Sequence, residues 1–222
     1  MEHGTQLIVM LTQHDCTVRN AYEIFDQCKH SKVKFWGFKE KPLPLDQMKA
    51  LYSYMKEYGK TTFLEVVAYT EEEGLHGAKI AAECGCDVLL GTLFSDSINQ
   101  FCQKNHLKYM PFVGTVTGRP SVLNGAIDEM IQEACSLLKQ GVYGVDLLGY
   151  RYTQDASLLI KRFVSEVPAP VCIAGSINSY SRLKEIKESA PWAFTIGGAF
   201  FENTFGDSFG SQLDNVCRYI DQ

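Results

Sequence analysis

The sequence has no lysine/arginine block and no basic tail, and its formal net charge is −5. Such a surface does not attract a polyanion, so no nucleic-acid partner is expected. No apolar run approaches the ~20 residues of a membrane-crossing helix, which excludes a membrane partner of that kind. The opening residues, MEHGTQLIVML, lack a basic segment followed by a small-residue cleavage site, so no secretory leader is expected. There is no low-complexity stretch or linker to divide the 222 residues, and one domain over 1–222 is the simplest reading. Cys-x-x-Cys pairs are missing as well. The eight cysteines are scattered, mostly among apolar neighbours, and Cys84-Gly85-Cys86 has the wrong spacing for a zinc knuckle or redox pair. They read as small buried hydrophobes in a reducing, cytoplasmic compartment. A metal site of Cys84, Cys86 and His76 is the lesser alternative, and neither metal nor cofactor is expected.

What is present is an alternation of strand-like and helix-like segments along the whole chain. Strand candidates are Leu7–Thr12, Val33–Lys39, Thr62–Ala68, Asp87–Thr92, Tyr109–Gly114, Gly144–Tyr150, Val171–Gly175 and Ala193–Gly197. Between them, Asn20–Lys29 sets Tyr22, Ile24, Phe25 and Cys28 on one side. Asp46–Tyr58 repeats Met48, Leu51, Tyr52 and Met55, and Ala126–Gln140 has a clear 3.6-residue period. Thr70-Glu71-Glu72-Glu73 has the spacing of a capping box, and Gly59, Gly85 and Gly141 stand where a helix wants a left-handed residue after its end. Eight such units mean a closed parallel barrel or an open doubly wound sheet. The open sheet usually shows a glycine-rich turn after its first strand, and here that turn is Thr12-Gln13-His14-Asp15-Cys16-Thr17. The expected class is therefore α/β, a (β/α)8 TIM barrel, for which 222 residues lie near the lower end of the usual range.

Strands seven and eight end in small residues, Ala174-Gly175-Ser176 and Gly197-Gly198-Ala199. In a closed barrel these two ends are neighbours on the C-terminal face, a frequent place for a phosphate. A phosphate needs backbone N–H groups aimed at it and no Cβ in the way, which glycine provides. Gly175, Ser176, Gly197 and Gly198 are thus the candidate phosphate-binding residues, with Ala199–Asn203 as a short extra helix. The ending "IAGSI … FTIGGAFF" resembles the ribulose-phosphate-binding barrels. More closely, "FLEVVAY", "GRPSVLNGAI", "DLLGYRY" and "IAGSINS … WAFTIGGAFF" resemble a family of small bacterial barrels often named 4-hydroxythreonine-4-phosphate dehydrogenase. The resemblance implies the barrel fold and phosphate binding, and a sugar-phosphate isomerase, epimerase or decarboxylase type of reaction.

Alternate strand residues point into a barrel, where a charge is costly unless paired or used. Aiming Trp36 and Phe38 outward leaves Phe35, Gly37 and Lys39 inside. Aiming Leu64 and Val66 outward leaves Phe63, Glu65 and Val67 inside. Lys39 and Glu65 then read as an acid/base pair, with a structural ion pair as the alternative, and a desolvated lysine is also able to form a Schiff base. Asp15 follows strand one and either completes the acid/base set or caps the next helix with Thr17. His14 reads as an ordinary loop residue. The long loop from Gly114 to Gly125 offers Arg119 and Ser121 to an anionic substrate, with Gly114, Gly118 and Gly125 as hinges. In strand six, Arg151 lies nearer the catalytic end than Asp146 and ranks above it for substrate contact. A regular strand puts the two on opposite faces.

The function expected is that of a cytoplasmic enzyme acting on a small phosphorylated carbonyl metabolite. The reaction would be isomerisation or epimerisation by proton transfer, or lyase chemistry. Glu65 is the candidate base and Lys39 its acid, electrostatic partner or nucleophile. A metabolite-sensing barrel without catalysis is one alternative. An oxidoreductase is another, although the chain has no dinucleotide fingerprint. A homodimer through loop or helix faces is compatible with a barrel of this size.

Overall fold

The computed structural model describes residues 4–222. All eight expected parallel strands are present: β1 (Gln6–Met10), β2 (Phe35–Lys39), β3 (Thr61–Val66), β4 (Val88–Gly91), β5 (Lys108–Met110), β6 (Val145–Leu147), β7 (Val171–Ile173) and β8 (Ala193–Ile196). They pair in the order β6-β7-β8-β1-β2-β3-β4-β5. The two ends of that sheet meet through a parallel bridge between Phe112 and Asp146. Across the same seam Asp146 N–H donates to Pro111 O (2.9 Å) and Tyr143 N–H to Tyr109 O (2.9 Å). The sheet is therefore a barrel, and β7 and β8 lie side by side with Cys172 opposite Ala193 and Ile173 opposite Phe194.

The period of two along each strand separates two apolar regions. Ile8, Met10, Phe63, Val88, Leu90, Met110, Cys172 and Ala193 pack together in the lumen, against Phe35, Tyr143 and Trp192 at its N-terminal end. The alternate residues, including Trp36, Phe38, Leu64 and Val66, belong to the larger layer between strands and helices. Gly37 is required inside: a Cβ there would lie 2.7 Å from Phe63 O and 3.0 Å from Met10 Sδ. Val67, expected inside, instead belongs to the outer layer, because β3 ends at Val66 and the alternation stops with it.

The outer ring is α1 (Ala21–Cys28), α2 (Leu45–Glu57), α3 (Glu71–Glu83), α4 (Asp96–Lys104), α5 (Ile127–Lys139), α6 (Ala156–Glu166) and α7 (Tyr180–Ser189). A four-residue α8 (Gly198–Phe201) and the C-terminal α9 (Phe209–Asp221) complete it. In α2 the buried face is Met48, Leu51, Tyr52 and Met55, as its spacing requires. Thr70 caps α3 by accepting the Glu73 N–H. Gly59, Gly85 and Gly141 all take positive φ just past their helices. In α1 the buried residues are Ala21, Ile24, Phe25 and Cys28. Tyr22, expected on that face, stacks on Tyr54 at 4.9 Å between ring centroids and is exposed. The apolar stripe of a short helix is narrower than its four large residues suggested.

Two hairpins stand on the C-terminal rim. Thr12–Gln13 pairs with Cys16–Thr17, turning through His14 and Asp15, both at positive φ. Thr115–Thr117 pairs with Val122–Asn124. No described helix is long and apolar enough to cross a membrane.

Candidate active site

The C-terminal ends of the strands open into a cleft of about 590 Å³. Glu65, Lys39, Asp15, Arg119, Ser121, Arg151, Gly175, Ser176, Gly197 and Gly198, the ten residues singled out in the sequence, all line it. Smaller cavities lie elsewhere, one of about 140 Å³ at the opposite end of the strands between Lys32, Phe194 and Asp221.

Lys39 and Glu65 face each other across neighbouring strands because the register puts them opposite one another. Lys39 Nζ lies 3.6 Å from Glu65 Oε2, and the two side chains are only 11% and 15% exposed. The same ammonium bonds to Asp15 Oδ1. Asp15 Oδ2 lies 3.7 Å from Arg119 Nη1, so the chain of charges runs Arg119, Asp15, Lys39, Glu65 from the rim to the floor. Burial works against the Lys39 ammonium, but Glu65, Asp15 and Glu40 outweigh it and its pKa is raised. Lys39 is therefore a cation at neutral pH.

Asp15 reaches this position through the tight turn of its hairpin, which Thr17 fastens to β2. The Thr17 hydroxyl donates to Lys39 O (2.7 Å) and accepts from Lys39 N–H (2.9 Å). Neither Asp15 nor Thr17 caps α1, whose N-cap position is Asn20.

The loop after β5 is an ordered hairpin with its tip held over the cleft. Tyr69 OH donates to Gly118 O (2.7 Å) and lies 2.8 Å from Ser121 Oγ. Arg119 Nη2 donates to Val67 O (2.7 Å). Gly114 at the hairpin base has φ +75° and is packed so closely that a Cβ would lie 2.6 Å from Met130 Sδ.

At the other side of the cleft, β7 runs into Gly175 (φ +81°) and Ser176 (φ +59°). Arg182 holds this turn by donating to Ser176 O and to Asn178 Oδ1. β8 runs into Gly197, where a Cβ would lie 2.6 Å from Thr12 Oγ1 and 2.9 Å from Thr12 O. Next to it, a Cβ on Gly198 would meet only Glu202 Oε1, at 3.9 Å. Gly197, Gly198 and Ala199, at the start of α8, line the cleft.

Arg151 corrects the regular-strand reading of its segment. β6 ends at Leu147, and a 3₁₀ turn over Gly149–Arg151 swings the arginine across Gly175. A Cβ on Gly175 would lie 2.9 Å from Arg151 Cγ. Arg151 forms no ion pair with any described residue, and neither does Asp146. Asp146 points into the lumen, fully buried. Further lining comes from Thr12, Gln13, Asn178, Thr195 and Glu202. Thr195 was legible as an inward position of β8. Glu202 and Asn178 gave no signal in the sequence, since loop geometry alone carries them to the cleft.

The fold defines the class: a parallel (β/α)8 barrel whose strand C-termini open into a charged cleft. No protein-family model matches the chain, and no curated protein sequence matches it. Solved structures do. The chain is similar to an orotidine 5'-phosphate decarboxylase from Pyrococcus horikoshii OT3, with a TM-score of 0.72 at 14% identity over 98% of this chain and 100% of that one. A 3-hexulose-6-phosphate synthase gives 0.69 at 14% identity over 97% and 99%. An N-acetylmannosamine-6-phosphate 2-epimerase from Clostridium perfringens gives 0.63 at 13% identity over 87% and 86%. At these identities the likeness establishes the fold. No family match supports a dehydrogenase assignment.

Proposed function

We propose that this barrel is an isomerase, epimerase or lyase acting on a small phosphorylated carbonyl metabolite, and that it works by proton transfer beside the carbonyl. The observation that carries the reading is the layout of one cleft. Glycine-rich strand ends and Arg151 stand on one side, and a lysine–glutamate pair lies on the floor. In this reading Gly175, Ser176, Gly197 and Gly198 receive the phosphate on backbone N–H groups, with Arg151 as the neighbouring cation. Glu65 takes the proton next to the carbonyl. Lys39, already a cation, stabilises the negative charge that develops on the carbonyl oxygen. Asp15 orients the Lys39 ammonium, and Arg119 with Ser121 covers the reacting end.

The raised pKa of Lys39 favours proton transfer over a Schiff base, because a nucleophilic lysine must be neutral. The solved barrels named for phosphorylated compounds support the same reading. So does the position of the segments that resemble the small bacterial barrel family. They supply Glu65 on the floor, Arg119 and Ser121 at the hairpin tip, and Arg151, Gly175, Ser176, Gly197 and Gly198 at the rims of this one cleft. The whole chain, 1–222, acts here as one domain in the cytoplasm.

A panel of ketose and aldose phosphates incubated with the protein in D₂O tests the reading. Exchange of the proton next to the carbonyl is expected for at least one compound, with no adduct on borohydride treatment. Borohydride trapping at Lys39 overturns the assignment of Lys39. Tight binding with neither exchange, cleavage nor trapping overturns catalysis and makes the barrel a metabolite sensor.

A further inference from the structure

Beneath the cleft lies a carboxyl group for which the reaction outlined above has no use. Asp146 is 0% exposed, and neither of its carboxyl oxygens has a hydrogen-bond partner among the described residues. It sits on β6 with its neighbours Val145 and Leu147 turned to the outer layer, so its side chain faces the barrel axis. The titratable groups that face it there are Glu65 from β3, Lys39 from β2 and Cys172 from β7. The inward residues of the other strands, Met10, Leu90, Met110 and Thr195 among them, carry no charge.

The charge balance decides its state. Arg119 offsets Asp15, and Lys39 offsets Glu65. An ionised Asp146 would be a carboxylate enclosed in the lumen with no ion-pair partner and no hydrogen bond from any described residue. Such a group neutralises instead. Burial first, and then the charge of Glu65, push its pKa up, against the pull of Lys39.

We propose that Asp146 is a positioning residue of this site, an uncharged carboxyl whose neutrality leaves the Lys39 ammonium to Glu65 and Asp15 alone. Two carboxyls facing one lumen hold one proton between them, and the environment decides which keeps it. Asp146, enclosed and without a hydrogen-bond partner among the described residues, keeps the proton, while Glu65 has the Lys39 ammonium 3.6 Å away. Ionisation of Asp146 at high pH would add a second negative charge to the lumen, facing Glu65 and Lys39. The alkaline limb of turnover then carries the titration of Asp146. This role rests on Glu65 being the base.

Infrared difference spectroscopy of the whole protein reads the protonated carboxyl directly. The C=O band of a buried, non-hydrogen-bonded acid is expected at neutral pH and is expected to disappear in Asp146→Asn. In Glu65→Gln the band remains, but its titration midpoint falls, because the facing negative charge is gone. The expected drop in proton affinity is about tenfold. In exchange assays with the sugar-phosphate panel, Asp146→Asn is expected to shift the alkaline limb of the pH profile, which a purely structural residue would leave in place. Absence of the band at neutral pH, or a midpoint indifferent to Glu65→Gln, overturns the proposal. The Glu65→Gln comparison still decides it if Asp146→Asn does not fold. A coupled band in a protein that exchanges no proton would overturn the base assignment of Glu65 while the Asp146–Glu65 pairing stands.

Discussion

Replacing Glu65 with glutamine separates the chemical role of this side chain from its structural one. Glutamine keeps the shape and loses only the charge. At 3.6 Å from Lys39 Nζ and an effective dielectric of about 20, the lost attraction is roughly 5 kcal/mol. That figure is gross. The carboxylate is only 15% exposed, and removing its charge also removes a desolvation penalty of several kcal/mol. The ammonium keeps Asp15 as a partner. The two large terms nearly cancel, and a net loss of about 1 kcal/mol is expected. For a chain of 222 residues this moves the melting temperature by about 2–4 °C. Proton exchange with a sugar-phosphate substrate should fall by about 10²–10⁴-fold, the usual worth of a positioned base. Calorimetry and deuterium wash-in on the same preparation measure both. A variant that melts more than about 10 °C early would make Glu65 a structural ion-pair partner, since a loss that large exceeds the net term above. A variant that exchanges within a factor of about ten of the parent would remove it from the role of base.

Gly197→Ala should weaken binding of inorganic phosphate or a sugar phosphate, read by calorimetric titration. Its Cβ would press on Thr12 Oγ1 and on the Thr12 carbonyl, at an overpacking cost of about 1–3 kcal/mol. Gly198→Ala, whose Cβ would make only an ordinary contact with Glu202 Oε1, is expected to melt like the parent. Lys39→Met should lower stability at neutral pH by about 3 kcal/mol, because it leaves partly buried carboxylates without their cation. The stability from the ammonium is fully present below the unfolded lysine value of about 10.4 and is lost as pH rises through the higher folded value. Denaturant midpoints of parent and Lys39→Met should therefore stay equally spaced up to about pH 10 and converge above it. Asp146→Asn carries the opposite sign. The folded aspartate keeps a proton that the unfolded chain releases above about pH 3.9, so it costs stability as pH rises. The variant should be more stable than the parent at pH 7, with the difference vanishing below about pH 4. Equal midpoints at pH 7 would mean that Asp146 is ionised or solvated.

Most of the frame was legible from local pattern. Alternation with period two in Val33–Lys39 and Thr62–Ala68 assigned Lys39 and Glu65 to the lumen side, because a strand offers only two faces. Glycines past helices and at strand ends marked the turns, because few residues adopt positive φ without strain. The same logic failed where a strand stopped. Val67 lies beyond the end of β3, and Arg151 lies in a 3₁₀ turn, so neither follows the alternation. In a closed ring the point where a strand stops depends on the strands beside it as well as on its own residues.

The amino-acid order by itself determined the eight-unit barrel, the adjacency of the two glycine rims and the inward phase of the Lys39–Glu65 pair. Each follows from short-range periodicity and from the fixed handedness of strand–helix–strand connections. Only the tertiary structure decided that Asp15 turns back through a hairpin onto Lys39, that Arg119 reaches across from the loop after β5, and that Asp146 is left buried beneath both without a hydrogen-bond partner among the described residues. Those relations join residues far apart in the chain, and they depend on burial and solvent exclusion, which exist only once the ring has closed.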